Sequence, residues 1–434
     1  MTGFLDDWLP PMPQNWRVQP LFMVATERVQ PNTGLRESRV LSLSYGKVVE
    51  RDVESNFGLL PETFESYNIV EPDDIVMRLT DLQNDQRSLR TGQVTEQGVI
   101  TSAYVTIVPS ADLTPRFAHY LLHGYDLAKV FYRMGGGLRQ SLKYADLKHL
   151  PLLVPPHSEQ TRIANFLDEQ TARIDALIAE KERLVETLSE YAYSYASNLM
   201  VRGMNPNVGH KDTGVPEIGS IPEHWTMKRL KFLGEVRSGV AKGKDVSQKD
   251  VISLPYLRVA NVQDGYVDLT EVLDIQVAQS EAERYLLRKG DVLMNEGGDN
   301  DKLGRGTVWQ GQIEPCIHQN HVFAVRLFDV TLAEWVAKFT STDAARSYFF
   351  LRSKQSTNLA SINQSNVREL PVPMPSSGER QEILQELRRA SQAIHGLIRH
   401  TEGHIVSLRE YRSSLISAAV TGQLNLDRFE SCVQ

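Results

Sequence analysis

The stretch from Pro155 to Gly203, PPHSEQTRIANFLDEQTARIDALIAEKERLVETLSEYAYSYASNLMVRG, decides the architecture of this chain. Two prolines and Ser158 open it, Gly203 closes it, and neither Pro nor Gly falls between Ser158 and Arg202. At steps of alternately four and three it places Ile163, Leu167, Gln170, Ile174, Leu177, Lys181, Leu184, Leu188, Tyr191 and Tyr195, with Phe166, Ile178 and Val185 widening the stripe. That is the pattern of one long helix with a seam facing a partner. At about 1.5 Å per residue the helix spans roughly 60 Å. It cannot bury its own stripe, so another helix must cover it.

The same chain supplies that helix. Residues 379–422, ERQEILQELRRASQAIHGLIRHTEGHIVSLREYRSSLISAAVTG, carry a matching seam of Ile383, Leu387, Ala390, Ile394, Leu397, Thr401, His404, Leu408, Tyr411 and Leu415. Ser376 with Glu379 reads as a capping box, and Gly422 mirrors Gly203 as a helix stop. Gly396 and Gly403 cost about 1 kcal/mol each against Ala and predict a bent or less regular second helix. Upstream, Pro13, Trp16 and Leu21 match Pro222, Trp225 and Leu230 at an offset of 209 residues. The segment from Asp74 to Arg78 matches Asp291 to Asn295 at 217, and Leu150-Pro151 matches Leu370-Pro371 at 220. A drift this small is what a few loop insertions produce, so the chain is one internal duplication.

The expected fold is α+β: two globules alternating with two long helices that pack as an antiparallel coiled coil, with a pseudo-twofold relation between halves. The boundaries read as 1–154 for the first globule, 155–204 for the first helix and 205–375 for the second globule. The second helix then takes 376–426 and a short tail 427–434. Apolar, β-rich runs such as Ile69–Leu79, Val99–Val108 and His321–Leu327 alternate with Gly-, Asn- and Asp-rich loops in each globule. Gln170, Lys181, Thr401 and His404 interrupt the seam with polar groups that fix register.

Hydrophobic residues make up 41% and charged residues 23% of the 434, ordinary for a soluble globular protein. The formal net charge of -7 gives no global sign of nucleic-acid binding, so any basic surface must be local. Only Cys316 and Cys432 are cysteines, which excludes a disulfide framework and fits a reducing compartment. The N-terminal MTGFLDDWLPPMPQNW has neither a basic n-region nor a long apolar core, and no apolar run nears membrane-spanning length. A cytoplasmic protein is expected.

Catalytic motifs are missing. Residues 239–245, GVAKGKD, have the wrong spacing and ending for a phosphate-binding loop, so no DNA-translocating motor is expected here. No G-x-G loop with a later acidic partner and no Asn/Asp-Pro-Pro-aromatic segment occurs, so an adenine-methylating site is not expected either. Pro72-Asp73 with Asp146 and Lys148 only loosely resembles a nuclease core. Cys316, His318 and His321 could seat a metal, but strand-and-loop alternation accounts for them equally, and no metal or cofactor is assigned to this chain.

Polar and basic residues concentrate in the globule loops. In the first globule, MRLTDLQNDQRSLRTG carries Arg78, Asn84, Asp85, Arg87 and Arg90. Arg pairs with guanine, Asn with adenine, and Asp accepts from cytosine, so the loop holds a complete readout vocabulary. Two similar globules on a rigid spacer suit the reading of two separated features on duplex DNA, and substitution of Arg87 or Arg90 is expected to weaken one of the two. Tyr45, Lys47, Arg139 and Gln140 join this set. The second globule offers Arg237, Lys242 and Lys244 in a Gly-rich loop suited to phosphates, then Arg258, Asn261, Asn295, Lys302, Arg305, Asn363 and Gln364.

The chain resembles the specificity subunit of Type I restriction–modification systems along essentially its full length. The resemblance rests on the Trp-centred segments at Trp16 and Trp225, the hydrophobic-Gly-Asp-hydrophobic segment around Asp291, and the run from Leu150 to Ile178. The segment SLREYRSSLISAAVTGQLNL also matches that family's C-terminal helix. It implies two target-recognition domains, each reading half of a bipartite asymmetric site in double-stranded DNA. The helices would act as a ruler and dock two modification (methyltransferase) subunits, with restriction subunits joining the full complex. S-adenosylmethionine would then belong to the methyltransferase subunits, and ATP and Mg to the restriction subunits. A self-sufficient endonuclease or methyltransferase, or a coiled-coil scaffold with two binding modules, are the competing readings.

Overall fold

The structure, a computed structural model, describes residues 12–52, 63–85, 88–134, 141–241, 250–298, 303–355 and 360–427. Four helices frame the chain: α1 (Pro115–Leu127), α2 (His157–Arg202), α3 (Ala333–Thr340) and α4 (Ser377–Val420). The chain divides into two compact units, unit 1 being Met1–Glu182 with Glu402–Gln434, and unit 2 Arg183–Thr401. Each unit therefore holds one globule, one end of α2 and one end of α4.

The sheets show the duplication directly. Unit 1 has strands β1 (Ala25–Glu27), β2 (Ile75–Met77), β3 (Thr91–Gln93) and β4 (Val105–Pro109), antiparallel in the order β1-β4-β2-β3. Unit 2 has β5 (Gly234–Ser238), β6 (Val292–Asn295), β7 (Gly306–Val308) and β8 (Val322–Leu327), antiparallel in the order β5-β8-β6-β7. The two orders are equivalent position by position. Strands β2 and β6 are buried along their whole length, and α1 and α3 pack on their respective sheets. That burial explains why the matching segments read as continuous apolar runs rather than alternating ones.

The aspartate heading each run is structural. Asp74 accepts the Glu71 N–H and pairs with Arg28 at 2.5 Å. Asp291 accepts the Arg288 N–H and pairs with Arg326 at 2.6 Å. Both carboxylates are almost fully buried, and burial raises the Asp74 pKa from its ordinary value. Each therefore closes the turn before the strand and is neutralised by an arginine from elsewhere in its own unit.

A second repeated device joins globule to helix. Arg17–Pro20 pairs antiparallel with Pro151–Val154, and Thr226–Arg229 with Pro371–Met374. The two tryptophans receive the helix ends. Gly203 stops α2 at φ +73, where an added Cβ would lie 3.1 Å from Trp225. Gly422 follows α4 at φ +74, and a Cβ there would be 3.3 Å from Trp16 and closer still to Pro13. Positive φ and the lack of space both require glycine.

Within unit 1, α2 and α4 run antiparallel: Arg412 bonds Asp175 at 2.8 Å and Arg409 bonds Glu182 at 2.7 Å. The phase of the seam differs from the expected one. Buried or half-buried positions along α2 include Leu167, Thr171, Ile174, Ile178, Lys181, Val185 and Leu188, with Gln170 half-buried beside them. Along α4 they are Ile394, Ile398, Thr401, Ile405, Leu408, Arg412 and Leu415. Ile163, Ile383 and Leu387 are buried as well, but Leu177, Leu184 and Leu397 are 40%, 45% and 54% exposed. The fours and threes alternate in the opposite order. Apolar neighbours on both sides (Leu177-Ile178, Leu184-Val185, Leu397-Ile398) leave that phase ambiguous in the sequence. Thr171 enters the seam because its hydroxyl donates to the Leu167 carbonyl at 2.7 Å and leaves its methyl to pack.

Against the expected irregularity, α4 runs unbroken through Gly396 and Gly403. Nothing lies within 4 Å of where their Cβ atoms would be. Packing elsewhere along the helix offsets their propensity cost.

At the join of α1 to the long helices, His119 and His123 stack 6.0 Å apart with both Nδ1 atoms buried and unpartnered. Burial depresses His119 to about 4, with Asp168 opposing and Arg412 reinforcing. Burial depresses His123 to about 3, reinforced by His119 and Arg412. Below the ordinary histidine pKa, the unfolded chain takes up protons that these rings refuse. Stability present at pH 7 is therefore lost as pH falls from 6.5 toward 4, by about 1.4 kcal/mol per pH unit per ring. Asp126, pushed up to about 6 by burial, works the other way below pH 6. Thermal melts between pH 7.5 and 4.5 should show a falling melting temperature, and His123→Gln should flatten the slope.

Candidate nucleic-acid interface

In unit 1 the connector from β2 to β3, whose described residues are 78–85 and 88–90, meets through Leu89 a hairpin formed by Leu41–Ser44 and Lys47–Glu50. An added Cβ on Gly46 would be 3.1 Å from Leu89, and one on Gly92 only 2.6 Å from Leu43. The hairpin tip is therefore pressed against the connector and the edge of β3. Of the expected set, Tyr45 and Lys47 sit on this hairpin, and Arg78, Asn84 and Asp85 on the connector that it meets. Tyr45, Lys47 and Asn84 are exposed and Arg78 partly so. Asn84 donates to Asp81 at 2.7 Å, and Arg78 sits 4.0 Å from Asp85. Arg87, Arg139 and Gln140 lie outside the described residues.

Arg90 is a correction. Its side chain is fully buried and donates to the Thr80 carbonyl at 2.9 Å, the Tyr132 hydroxyl at 3.2 Å and the Asp85 carbonyl. Its backbone N–H donates to Asp126 at 2.7 Å. The guanidinium ties the connector's loop into a fixed shape and faces no solvent, so it cannot meet a base edge. A basic residue in a polar loop looks the same in sequence whether it points out or in.

Unit 2 has its equivalent connector between β6 and β7. Asn295, the last residue of β6, is buried and donates to the Val262 carbonyl at 3.0 Å. Asn261 is buried too, accepting from the Arg258 N–H and donating to the Asp268 and Glu271 carbonyls. Both pin loops rather than face outward, again against expectation. Asn363 is exposed but caps a short helix through the Asn366 N–H, and Gln364 donates to the Val236 carbonyl at 2.5 Å. In unit 1 Asp146 accepts the Lys143 N–H at 2.8 Å, as Asn366 accepts the Asn363 N–H at 2.9 Å. Arg258 pairs with Glu271 at 3.4 Å, Arg305 donates to Gln263 at 2.9 Å, and Arg237 donates to the Arg284 carbonyl. All three are partly exposed. Lys242, Lys244 and Lys302 lie outside the described residues.

Lys354 and Gln355 were not among the expected residues. They are exposed on a strand whose partner, Ala360–Ser361, pairs with Gly297–Gly298 of the connector. No local pattern in the sequence announces a contact between segments about sixty residues apart. Among the described residues no group of three or more His, Cys, Asp or Glu could hold a metal ion. The Cys316 thiol is pushed up to about 12 by burial, and His318 is buried against the Val322 carbonyl at 2.7 Å. His321 points instead to Glu296 at 2.6 Å. Among the described residues, no helix is long and apolar enough to cross a membrane.

No family model matches the sequence. The Type I restriction enzyme EcoKI specificity subunit of Escherichia coli (strain K12) is 22% identical over 312 residues, covering 71% of this chain and 65% of that protein. The putative type I restriction enzyme MjaX specificity subunit of Methanocaldococcus jannaschii is 26% identical over 174 residues, covering 39% and 40%. The matched region thus spans less than two-thirds of each of these relatives. Among solved structures, the HsdS subunit from Thermoanaerobacter tengcongensis aligns with a TM-score of 0.53 at 14% identity, over 96% of this chain and 99% of that one. A chain from a study of complex assembly and conformational transition in the type I R-M system aligns with a TM-score of 0.68 at 14% identity, over 96% and 100%. The chain is thus similar in sequence to specificity subunits of Type I restriction enzymes, and in fold to solved chains of type I R-M systems.

Proposed function

We propose that this chain is the DNA-sequence specificity subunit of a Type I restriction–modification complex and is itself non-catalytic. The observation that carries this reading is the equivalent strand order of the two sheets, each with a polar connector leaving the same central strand. Two similar but non-identical readers fit a bipartite, asymmetric target in double-stranded DNA, one half per unit. The length of α2 and α4 sets the gap between the halves. S-adenosylmethionine is carried by the methyltransferase subunits, ATP and Mg by the restriction subunits, and the complex works in the cytoplasm.

Docking of two methyltransferase subunits is supported by the residues displaced from the seam. Leu177, Leu184 and Tyr191 are exposed at seven-residue spacing on α2, and Leu397 and Tyr411 at matching positions on α4. Two equivalent outward stripes suit two copies of one partner.

The test is base-specific. Asn84→Ala removes an exposed side chain whose bond among the described residues, to Asp81, is local, so the melting temperature should stay within about 1 °C. Binding to DNA carrying the motif should weaken roughly tenfold, with the loss confined to one half of the site. Equal loss on every sequence, or none, would contradict the assignment of this connector to base reading.

A further inference from the structure

The hairpin tip in unit 1 carries a side chain that the fold itself does not use. Ser44 pairs with Lys47 across a two-residue loop in which Tyr45 has φ +49 and Gly46 φ +77. Both central residues lie in the left-handed region, the signature of a type I′ turn, whose first position favours Asn, Asp or Gly. A tyrosine there is strained. It gains no packing in return: at 91% exposure, Tyr45 is the most exposed large apolar or aromatic side chain among the described residues.

We propose that Tyr45 is a stacking wedge, presented by this hairpin to a nucleobase within the DNA half-site that unit 1 reads. The inference rests on the specificity-subunit reading and adds a residue and a contact type to it. Three observations support it. The tip is held in place, because Gly46 abuts Leu89 and Gly92 leaves no room between β3 and Leu43. Little freedom is then lost on binding. Lys47 beside it is exposed and suited to a phosphate, while Asn84 and Arg78 on the adjoining connector are suited to base edges. The ring combines an apolar face with a hydroxyl at its rim, which is the chemistry that enters a base stack.

Every base has a π face, so Tyr45 adds affinity at a position without fixing base identity by hydrogen bonds. Its preference falls on steps that unstack readily, such as pyrimidine–purine steps.

The strain makes the proposal testable. Tyr45→Asn puts a residue the turn prefers at the tip, so the melting temperature of the full chain should hold or rise. Binding should be measured with the chain assembled with its methyltransferase subunits. The probes are duplexes carrying the motif methylated in cells that express the complex. The Asn variant should bind about tenfold more weakly, the size of one lost aromatic–base stack, and Tyr45→Phe should bind like the natural chain. A 2-aminopurine scanned through the half-site should report stacking at one step, and the Asn variant should abolish that signal. Binding by the Asn variant within twofold of the natural chain would overturn the wedge. So would equal loss in the Phe variant, which would assign the effect to the hydroxyl. Loss of methyltransferase assembly in the Asn variant would also overturn it, by making Tyr45 a protein contact. If the natural complex methylates no motif at all, the specificity-subunit reading falls first, and the wedge falls with it.

Discussion

Replacing Arg90 by alanine should destabilise unit 1 by about 3–5 kcal/mol, the cost of removing one member of a buried, hydrogen-bonded charged group. The guanidinium is fully buried, and its donors meet the Thr80 and Asp85 carbonyls and the Tyr132 hydroxyl. Alanine would strand those acceptors and leave a void beneath the connector. Arg90 also lies over the Tyr132 ring, 5.8 Å from its centroid, so stacking is lost with the charge. At about 2–4 °C per kcal/mol for a unit of this size, a melting-temperature drop near 10 °C is expected. DNA binding should fall only as the connector loses its shape. A variant with unchanged melting temperature and a selective loss at one half-site would restore Arg90 to the reading surface.

The second large effect separates two neighbours on α2. Ile178 is buried in the seam, whereas Leu177 is 40% exposed. Ile178→Asp buries a carboxylate among apolar groups and should cost more than about 3 kcal/mol, enough to unfold the helix packing. Leu177→Asp should change stability by less than about 0.5 kcal/mol. If the outward stripe docks the methyltransferase, that second variant should nevertheless lower recovery of the assembled complex. The same contrast is expected between Ile398 and Leu397 on α4. Thermal melts of the four variants decide the phase of the seam. Equal damage from Leu177→Asp and Ile178→Asp would contradict it.

Much of the architecture was legible because it rests on long-range repetition and on helical periodicity. Trp16 and Trp225, Asp74 and Asp291, and the two glycine stops recur at nearly constant offsets, and the structure gives each pair one job twice. The seam's phase was not legible, because adjacent apolar residues satisfy both alternations and only packing chooses between them. Less of the candidate reading surface was legible. Composition singles out polar residues between Arg78 and Arg90, but side-chain direction follows from the fold, and Arg90, Asn261 and Asn295 turn inward to satisfy carbonyls. Charge reversal between the halves was equally hidden. Arg116 of α1 pairs with Asp168, while at the matching place Glu334 of α3 pairs with Arg388 at 2.9 Å. Each globule thus fastens to its helix by the same bond with opposite polarity.

Single-molecule mapping of methylated adenines, in cells expressing this chain together with its genomic neighbours, tests the central claim most directly. Two short specific halves separated by a fixed non-specific gap are expected, with Asn84→Ala relaxing one half alone. A continuous motif, or methylation that does not depend on this chain, would contradict the account.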